Sequence, residues 1–242
     1  LLKSNTIEKK GSVDAGTSSS DYTKEEKNAK SSIYSSVLPV EYNDNKFNFI
    51  DTPGFFDFQI EIKQALRAAR SAILVIDASK GVENQTIKLF KVCVMRHIPI
   101  ITFINKMDRD SKNPFELLED IENVLGINTC PMNWPIGSGK EFRGVYDRKA
   151  NEILAFTANN GQKEVEKEIL TLDDPDLDSK LFYGQKDQLI EDIELLDGAG
   201  NDFDLDMVRA GNLTPVFFGS ALTNFGVEPF LKEFLNLTTS PL

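Results

Sequence analysis

From residue 71 onward, the sequence alternates short apolar runs with amphipathic segments of helical period. The apolar runs are almost continuously hydrophobic, as parallel strands covered on both faces are, and they occupy residues 71–77, 99–104 and 214–218. The segments of helical period lie near 83–96, 114–125 and 226–235. This alternation predicts an α/β fold with a doubly wound, mostly parallel sheet.

The amino-terminal region lacks this alternation. Residues 9–36 are rich in Ser, Lys and Gly and show no sustained period, which predicts a long mobile loop. Strands are then predicted at 37–42 and 46–50. The turn Asn43–Asn45 between them is composed of residues that tolerate the positive φ angles of a tight hairpin.

A second departure from the alternation covers residues 127–212. Short strands and helices are predicted there, at 144–147, 152–157, 185–196 and 204–210. Acidic loops separate them, so the simplest interpretation is an α+β insertion between the last two strand–helix units. The predicted division is a core formed by 1–126 and 213–242, with an insertion subdomain at 127–212.

Composition excludes some classes of function. The net charge of −11 argues against binding of DNA through a broad basic face. Cys93 and Cys130 are the only cysteines and are predicted to be small buried residues. No apolar run reaches the roughly 18 residues of a membrane span. We therefore expect a cytoplasmic protein without a membrane partner.

Three polar motifs follow predicted strands at the edge where α/β sheets bind ligands. They are Asp51-Thr52-Pro53-Gly54 after FNFI, Asn105-Lys106-Met107-Asp108 after ITFI, and Gly219-Ser220-Ala221-Leu222 after PVFF. Each motif alone is typical of a polar turn. All three in this order predict a nucleotide site.

The second and third motifs carry the residue types that guanine recognition needs. One carboxylate can accept hydrogen bonds from both N1–H and N2–H of guanine, so Asp108 would select guanine and reject adenine, which lacks an N1–H donor. Asn105 would connect neighbouring loops, and the alkyl stem of Lys106 would lie over the base. A backbone N–H near Ala221 would donate to the base carbonyl.

The first motif suits the phosphate side of the nucleotide. Asp51 would hold Mg²⁺ through a bound water. The N–H of Gly54 could approach a γ-phosphate because no Cβ intrudes. GTP or GDP with Mg²⁺ are therefore the expected ligands.

These motifs carry a family resemblance. FIDTPG, FINKMD and GSAL resemble the third, fourth and fifth signature motifs of translational GTPases. Residues 79–242 closely resemble class-two peptide-chain release factors, the release factor three family, in stretches such as PMNWPIGSGKEFRGVYDR. Residues 1–75 look more like an elongation-factor-G-like protein.

The resemblance implies the P-loop GTPase type of fold, the ribosome as a partner and class-one release factors as further partners. It places the three motifs at the nucleotide and adds the following positions to the expected contacts: Thr52, Pro53, Phe55, Met107, Ser220 and Leu222.

The chain departs from the family pattern at the phosphates. The loop G-x-x-x-x-G-K-[ST] does not occur in the sequence. In the family it lies just before the position of Leu1, so we expect a core without its first strand and phosphate loop, and hence of low stability. The run Gly137-Ser138-Gly139-Lys140 has a similar composition, but it falls in the insertion and is predicted to be an ordinary loop.

Two further positions belong to the hydrolytic machinery of the family, a histidine after the DTPG motif and a magnesium-binding threonine. The family has a histidine after the DTPG motif that orients the attacking water, and Phe55 occupies that position here. A phenyl ring cannot hydrogen-bond to water, so hydrolysis is expected to be slow. The single histidine, His97, is predicted to be a surface or core residue. Ser32 matches the family's magnesium-binding threonine and keeps its hydroxyl.

Three hypotheses follow for function. The chain could belong to a GTPase that resets ribosomal termination, as the resemblance implies. It could instead be a binding module, elongation-factor-G-like, in which Phe55 has abolished efficient hydrolysis. A third hypothesis is an inert fragment without the missing phosphate loop. The sequence leaves open a role in termination or in translocation.

Overall fold

The computed structural model describes residues 23–29, 33–53, 59–157 and 166–238. The chain forms two compact units, residues 1–70 and residues 71–242.

The first unit contains a β-hairpin that follows one helix and precedes another. Its elements are α1 (Lys24–Ala29), β1 (Ser36–Tyr42), β2 (Asn45–Asp51) and α2 (Gln59–Ala68). The two strands are antiparallel and pair Val40 with Phe47. Asn43 and Asp44 adopt φ angles of 48° and 58°. The predicted hairpin is therefore confirmed.

The prediction of a continuous loop over 9–36 is wrong at α1. Thr23 and Glu26 form a capping box, in which the Glu26 N–H donates to Thr23 Oγ1 (3.2 Å) and the Thr23 N–H donates to Glu26 Oε2 (3.0 Å). The other oxygen of the buried Glu26 carboxylate accepts the N–H groups of Ile33 and Tyr34, both at 3.0 Å. Helix α1 is thus fixed to the residues that precede β1. Residues 9–22 and 30–32 lie outside the described residues.

The second unit contains a parallel and an antiparallel sheet of four strands each. Its elements in chain order are β3 (Ala72–Asp77), α3 (Asn84–Met95), β4 (Ile100–Asn105), α4 (Pro114–Leu125), β5 (Asn128–Pro131), β6 (Asn133–Ile136), β7 (Gly144–Asp147), β8 (Glu152–Thr157), β9 (Glu166–Leu170), α5 (Leu177–Lys180), α6 (Gln185–Ala199), α7 (Leu205–Arg209), β10 (Leu213–Phe218) and α8 (Val227–Leu237).

The parallel sheet has the strand order β3-β4-β10-β5. Its central strands β4 and β10 are buried along almost their whole length. Between them, the hydroxyls of Thr102 and Thr214 lie 2.9 Å apart, and Thr214 also donates to the carbonyl of Ile100 (3.0 Å). The predicted α/β class with a mostly parallel sheet is confirmed.

Helix α4 has the predicted bounds because its end signals are local. Asn113 caps the helix by accepting the N–H of Phe115 (2.8 Å), Pro114 occupies the first position, and Gly126 ends it with a φ of 72°. Each of these residues favours its observed place at a helix end.

The antiparallel sheet has the order β6-β7-β8-β9. The strands predicted at 144–147 and 152–157 are confirmed as β7 and β8. Strand β5 falls inside the range predicted as an insertion, yet it pairs in parallel with β10 and belongs to the first sheet. The division into core and insertion stays a prediction.

Trp134 on β6 connects the two sheets. It is fully buried, and its ring lies 4.6 Å from that of Phe115 on α4 and 5.4 Å from that of Phe218 on β10. Its Nε1–H donates to Asp192 on α6 (2.8 Å). A single side chain therefore holds elements of both sheets and two helices together.

Both cysteines are free and buried, as predicted. Burial raises the pKa of the Cys93 thiol to about 11 and also raises the pKa of Cys130. Neither thiol is therefore an effective nucleophile at neutral pH. Within the ranges that the structure describes, no helix has the length and apolar character needed to cross a membrane.

Candidate guanine-binding site

The motif Asn105–Asp108 begins at the last residue of β4, at the carboxyl edge of the parallel sheet. Met107 is fully buried, whereas the other three residues are partly exposed. The Met107 N–H donates to the carbonyl of Gly219, which follows β10 (3.2 Å). The loop thus points Asp108 outward while its backbone is bound to the neighbouring strand end.

Asn105 links this loop to the one after β10. Its side-chain oxygen accepts the N–H of Lys106 (2.8 Å) and the N–H of Ala221 (2.9 Å). Lys106 adopts a φ of 72°, in the left-handed region that disfavours side chains. The first of these hydrogen bonds stabilises that conformation.

Asp108 is held by the third motif. The hydroxyl of the fully buried Ser220 donates to Asp108 Oδ1 (2.5 Å) and accepts the N–H of Thr223 (3.2 Å). The Ser220 N–H donates to the carbonyl of Phe225 (2.9 Å), which closes the loop. The carboxylate therefore has a fixed orientation before any ligand arrives.

Two glycines permit this loop to close. A Cβ on Gly219 would lie 2.5 Å from the carbonyl oxygen of Phe225, and Gly226 has a φ of 74°. Neither position has room for a side chain, so the turn after β10 requires both glycines. The structure therefore brings Asn105, Asp108, Ser220 and Ala221 together, with Leu222 exposed at the loop surface.

The elongation factor Tu GTP binding domain matches residues 1–240 of the chain. The chain belongs to this family of GTP-binding domains. The family's nucleotide is consistent with the fixed carboxylate of Asp108, because a carboxylate can accept the N–H groups of guanine.

Several relatives are proteins named Peptide chain release factor 3. The one from Symbiobacterium thermophilum is 49% identical over 233 residues, which are 96% of this chain and 44% of that protein. The one from Microcystis aeruginosa is 45% identical over an alignment of 246 positions that covers 100% of this chain and 45% of that protein. The likeness thus extends beyond residues 79–242, and the chain spans less than half the length of these relatives.

A solved structure supports the fold assignment. A crystal structure of a protein from Thermus thermophilus matches with a TM-score of 0.78 and 25% sequence identity. It covers 100% of this chain, which corresponds to 37% of that protein. The chain therefore has the architecture of a domain that occurs within longer proteins.

Asp77 is a residue of this GTP-binding domain that the sequence motifs do not include. It ends β3, and its Oδ2 lies 2.6 Å from Nζ of Lys106. Its Oδ1 accepts both the N–H (3.0 Å) and the hydroxyl (2.7 Å) of Ser79. Burial opposes ionisation of Asp77, but these contacts outweigh it and lower its pKa to about 2. The sequence signal for Asp77 is its position at the end of a predicted strand, at the same edge of the parallel sheet as the second motif.

Gly139 is a second residue missed by sequence reasoning. The Gly137–Lys140 run is a loop that leads into a short 3-10 helix over 139–141, so it is not a phosphate-binding turn. The Gly139 N–H donates to the carbonyl of Met107 (2.8 Å). The run predicted to be an ordinary loop thus contacts the guanine motif.

The residues predicted for the phosphate side belong to the first unit. Asp51 ends β2 and is exposed, Thr52 is partly exposed, and Pro53 is buried. Ser32, Gly54 and Phe55 lie outside the described residues. Among the residues that are described, no cluster of three His, Cys, Asp or Glu side chains could hold a metal.

His97 has no place in this site. It follows α3, is exposed, and adopts a φ of 54°. Its N–H donates to the carbonyl of Val94 (3.0 Å). The prediction of a surface or core histidine agrees with this turn position at the surface.

Proposed function

We propose that this chain is the guanine-nucleotide-binding part of a translational GTPase that acts with the ribosome in peptide-chain termination, where it recycles class-one release factors. The observation that carries the proposal is the interlock of Asn105, Asp108, Ser220 and Ala221. It fixes the Asp108 carboxylate beside the loop that follows β10, and recognition of guanine N1–H and N2–H requires a carboxylate in a fixed orientation.

Each residue has a proposed role. Asp108 accepts hydrogen bonds from N1–H and N2–H of guanine. Its carboxylate keeps acceptor lone pairs for these bonds in addition to the one that accepts the Ser220 hydroxyl. The N–H near Ala221 donates to the base carbonyl, and the Lys106 stem covers the base. Asp51, through water, and Ser32 hold Mg²⁺, and oxygen ligands of this kind suit that ion.

The release-factor role rests on the relatives. They carry the name Peptide chain release factor 3 and match 96% or more of the chain at 45 to 49% identity. We propose from this that the protein works in the cytoplasm, with GTP or GDP and Mg²⁺ as ligands. The core of 1–126 and 213–242 would bind the nucleotide, and 127–212 would form the inserted subdomain.

A second candidate is a binding module with little or no hydrolysis. It is favoured by Phe55 at the position where the family pattern has a histidine. In that case the nucleotide would act as a ligand whose binding changes the conformation of the protein, as in an elongation-factor-G-like module.

The test is equilibrium binding of labelled GDP, GTP and ADP with Mg²⁺. The proteins compared are this chain and a form extended at its amino end by a phosphate-binding loop. We expect both to prefer guanine, with the extended form binding more tightly, and Asp108→Ala to abolish the preference. Equal binding of GDP and ADP by both forms would refute guanine recognition.

Turnover separates the two candidates. In the extended form with ribosomes added, measurable GTP hydrolysis by the unchanged protein supports the GTPase. Hydrolysis that appears only after Phe55→His supports the binding module instead.

A further inference from the structure

Both guanine-reading loops rest on the antiparallel sheet. The first contact is the hydrogen bond from Gly139 N–H to the carbonyl of Met107 (2.8 Å). Because the Met107 N–H is bound to Gly219, the peptide groups on both sides of Met107 are fixed. Met107 directly precedes Asp108, so the 3-10 turn that contains Gly139 fixes the position of the backbone that carries the Asp108 carboxylate.

The fit at Gly139 is close. It adopts a φ of 59°, and a Cβ there would lie 2.8 Å from Oδ1 of Asp110 and 3.5 Å from the carbonyl carbon of Arg109. The turn is therefore seated against the residues that directly follow Asp108. The carboxylate of Asp110 can rotate away from a Cβ, but the backbone of Arg109 and Asp110 lies at contact distance, so the branched side chain of valine would press on it.

The second contact reaches the loop after β10. The ring of Phe225, whose carbonyl accepts the Ser220 N–H, stacks on Phe156 of β8 with centroids 4.4 Å apart and an angle of 18°. The ring of Phe142 lies 5.9 Å from it. All three rings are buried. The loop that orients Asp108 and Ala221 is thus packed on the same sheet.

A third contact is polar. Asn133 on β6 is buried and pairs with both backbone groups of Phe218, the last residue of β10. It donates to the Phe218 carbonyl (3.1 Å) and accepts the Phe218 N–H (2.7 Å). A side chain of the antiparallel sheet therefore replaces a strand partner where β10 leads into the third motif.

We propose that the antiparallel sheet sets the distance between the two guanine-reading loops, with Gly139 and Phe156 as positioning residues for base selection. This inference rests on the proposed guanine recognition. Asp108 and Ala221 must face one base together, although Asp108 and Ser220 are 112 positions apart in sequence. A shared rigid support fixes the distance between the loops before binding, which lowers the cost of ordering the site.

The test compares two valine substitutions at glycines of positive φ. Gly139→Val adds a side chain against Arg109 and Asp110. Gly184→Val is the matched control, because Gly184 has a φ of 82° and a Cβ added there would have nothing within 4 Å. Both carry the same type of backbone strain, and only the first adds atoms against the backbone that follows Asp108. Gly139→Ala and Phe156→Leu are milder variants in case Gly139→Val fails to fold.

The readouts are the affinities of the whole chain for GDP and for inosine diphosphate, which lacks the 2-amino group. We expect Gly139→Val and Phe156→Leu to lower the GDP affinity about three- to tenfold, as loss of one net hydrogen bond does. The ratio of GDP to inosine diphosphate affinity should fall as well. Gly184→Val should leave both unchanged.

Two outcomes overturn the proposal and are distinct from failure of guanine recognition itself. An unchanged affinity ratio in the Gly139 and Phe156 variants means that the sheet supports only folding. An equal loss in Gly184→Val means that backbone strain, and not loop position, causes the effect. If the unchanged chain binds GDP no better than ADP, the underlying guanine recognition is wrong.

Discussion

The strand ends that carry the predicted nucleotide motifs differ in how firmly they are held. At the end of β4, Asn105 accepts two backbone N–H groups and Lys106 pairs with Asp77. At the end of β2, Asp51 is exposed and projects from a two-stranded hairpin. The residues proposed to read the base are therefore preorganised within their own unit, whereas Asp51 ends a strand whose partner among the described residues is β1. Base selection should accordingly depend on the second unit alone.

The largest effect is expected from removing the side chain that connects the two sheets of the second unit. Trp134→Ala should lower the free energy of unfolding by about 3–5 kcal/mol, because it leaves a cavity between the two sheets. It also removes the donor to Asp192. Urea unfolding measures the change. Tyr183→Ala is the control, since that ring is fully exposed and its loss should cost within about 0.5 kcal/mol. Similar losses for both variants would contradict the packing described for Trp134.

The next effect separates loop linkage from helix stability. Asn105→Ala leaves two backbone N–H groups without their acceptor and should weaken GDP binding about tenfold. Asn113→Ala removes only the cap of α4 and should cost about 1 kcal/mol of stability without changing GDP affinity. Binding titrations and thermal unfolding of both variants test this. Equal effects on GDP affinity would show that Asn105 does not link the loops.

A smaller effect is expected from Asp77→Asn, which releases the Lys106 ammonium. Because Lys106 is partly exposed, guanine affinity should fall only about two- to fivefold. Glu83→Gln is a matched control, since Glu83 pairs with Lys80 at the surface. Competition binding measures the guanine affinity of both variants. A loss in Glu83→Gln as large as that in Asp77→Asn would assign the effect to net charge.

The smallest effect concerns the first unit and pH. Burial opposes ionisation of Glu26, yet the N–H groups of Tyr34, Thr23 and Ile33 lower its pKa from 4.5 to about 2. A lowered pKa means that its stabilisation is present above about pH 4.5 and is lost as the pH falls toward 2. The protection factors of the Ile33 and Tyr34 amides, which correct for the intrinsic pH dependence of exchange, should therefore fall in that window. In Glu26→Ala, which removes the acceptor of both N–H groups, protection should be low at every pH, and retained protection there would contradict the assignment.

The sequence predicted what local signals encode. The bounds of α4 follow from Asn113, Pro114 and Gly126, and the hairpin follows from residues that tolerate positive φ. The Thr23–Glu26 capping box is also a local signal, and it could have predicted α1 within the polar segment. The capping box is a weak signal within a run rich in Ser and Lys, which explains why the sequence pattern indicates a loop where α1 lies.

Contacts between distant segments could not be predicted in this way. The Lys106–Asp77 pair, the Gly139 hydrogen bond and the pairing of β5 with β10 each depend on how the chain returns to the sheet. Motif spacing predicts which residues face a ligand, but it does not predict the residues that hold them in place. Those supporting residues are the ones that the structure adds.

The most direct test of base reading through Asp108 is a change of base specificity. In Asp108→Asn, one acceptor oxygen is replaced by an amide donor, which suits the 2-carbonyl of xanthine and opposes the 2-amino group of guanine. Affinities for GDP and xanthosine diphosphate should be measured for both proteins. We predict that the unchanged chain prefers GDP and that Asp108→Asn prefers xanthosine diphosphate. A variant that keeps the preference for GDP would show that Asp108 does not read the base.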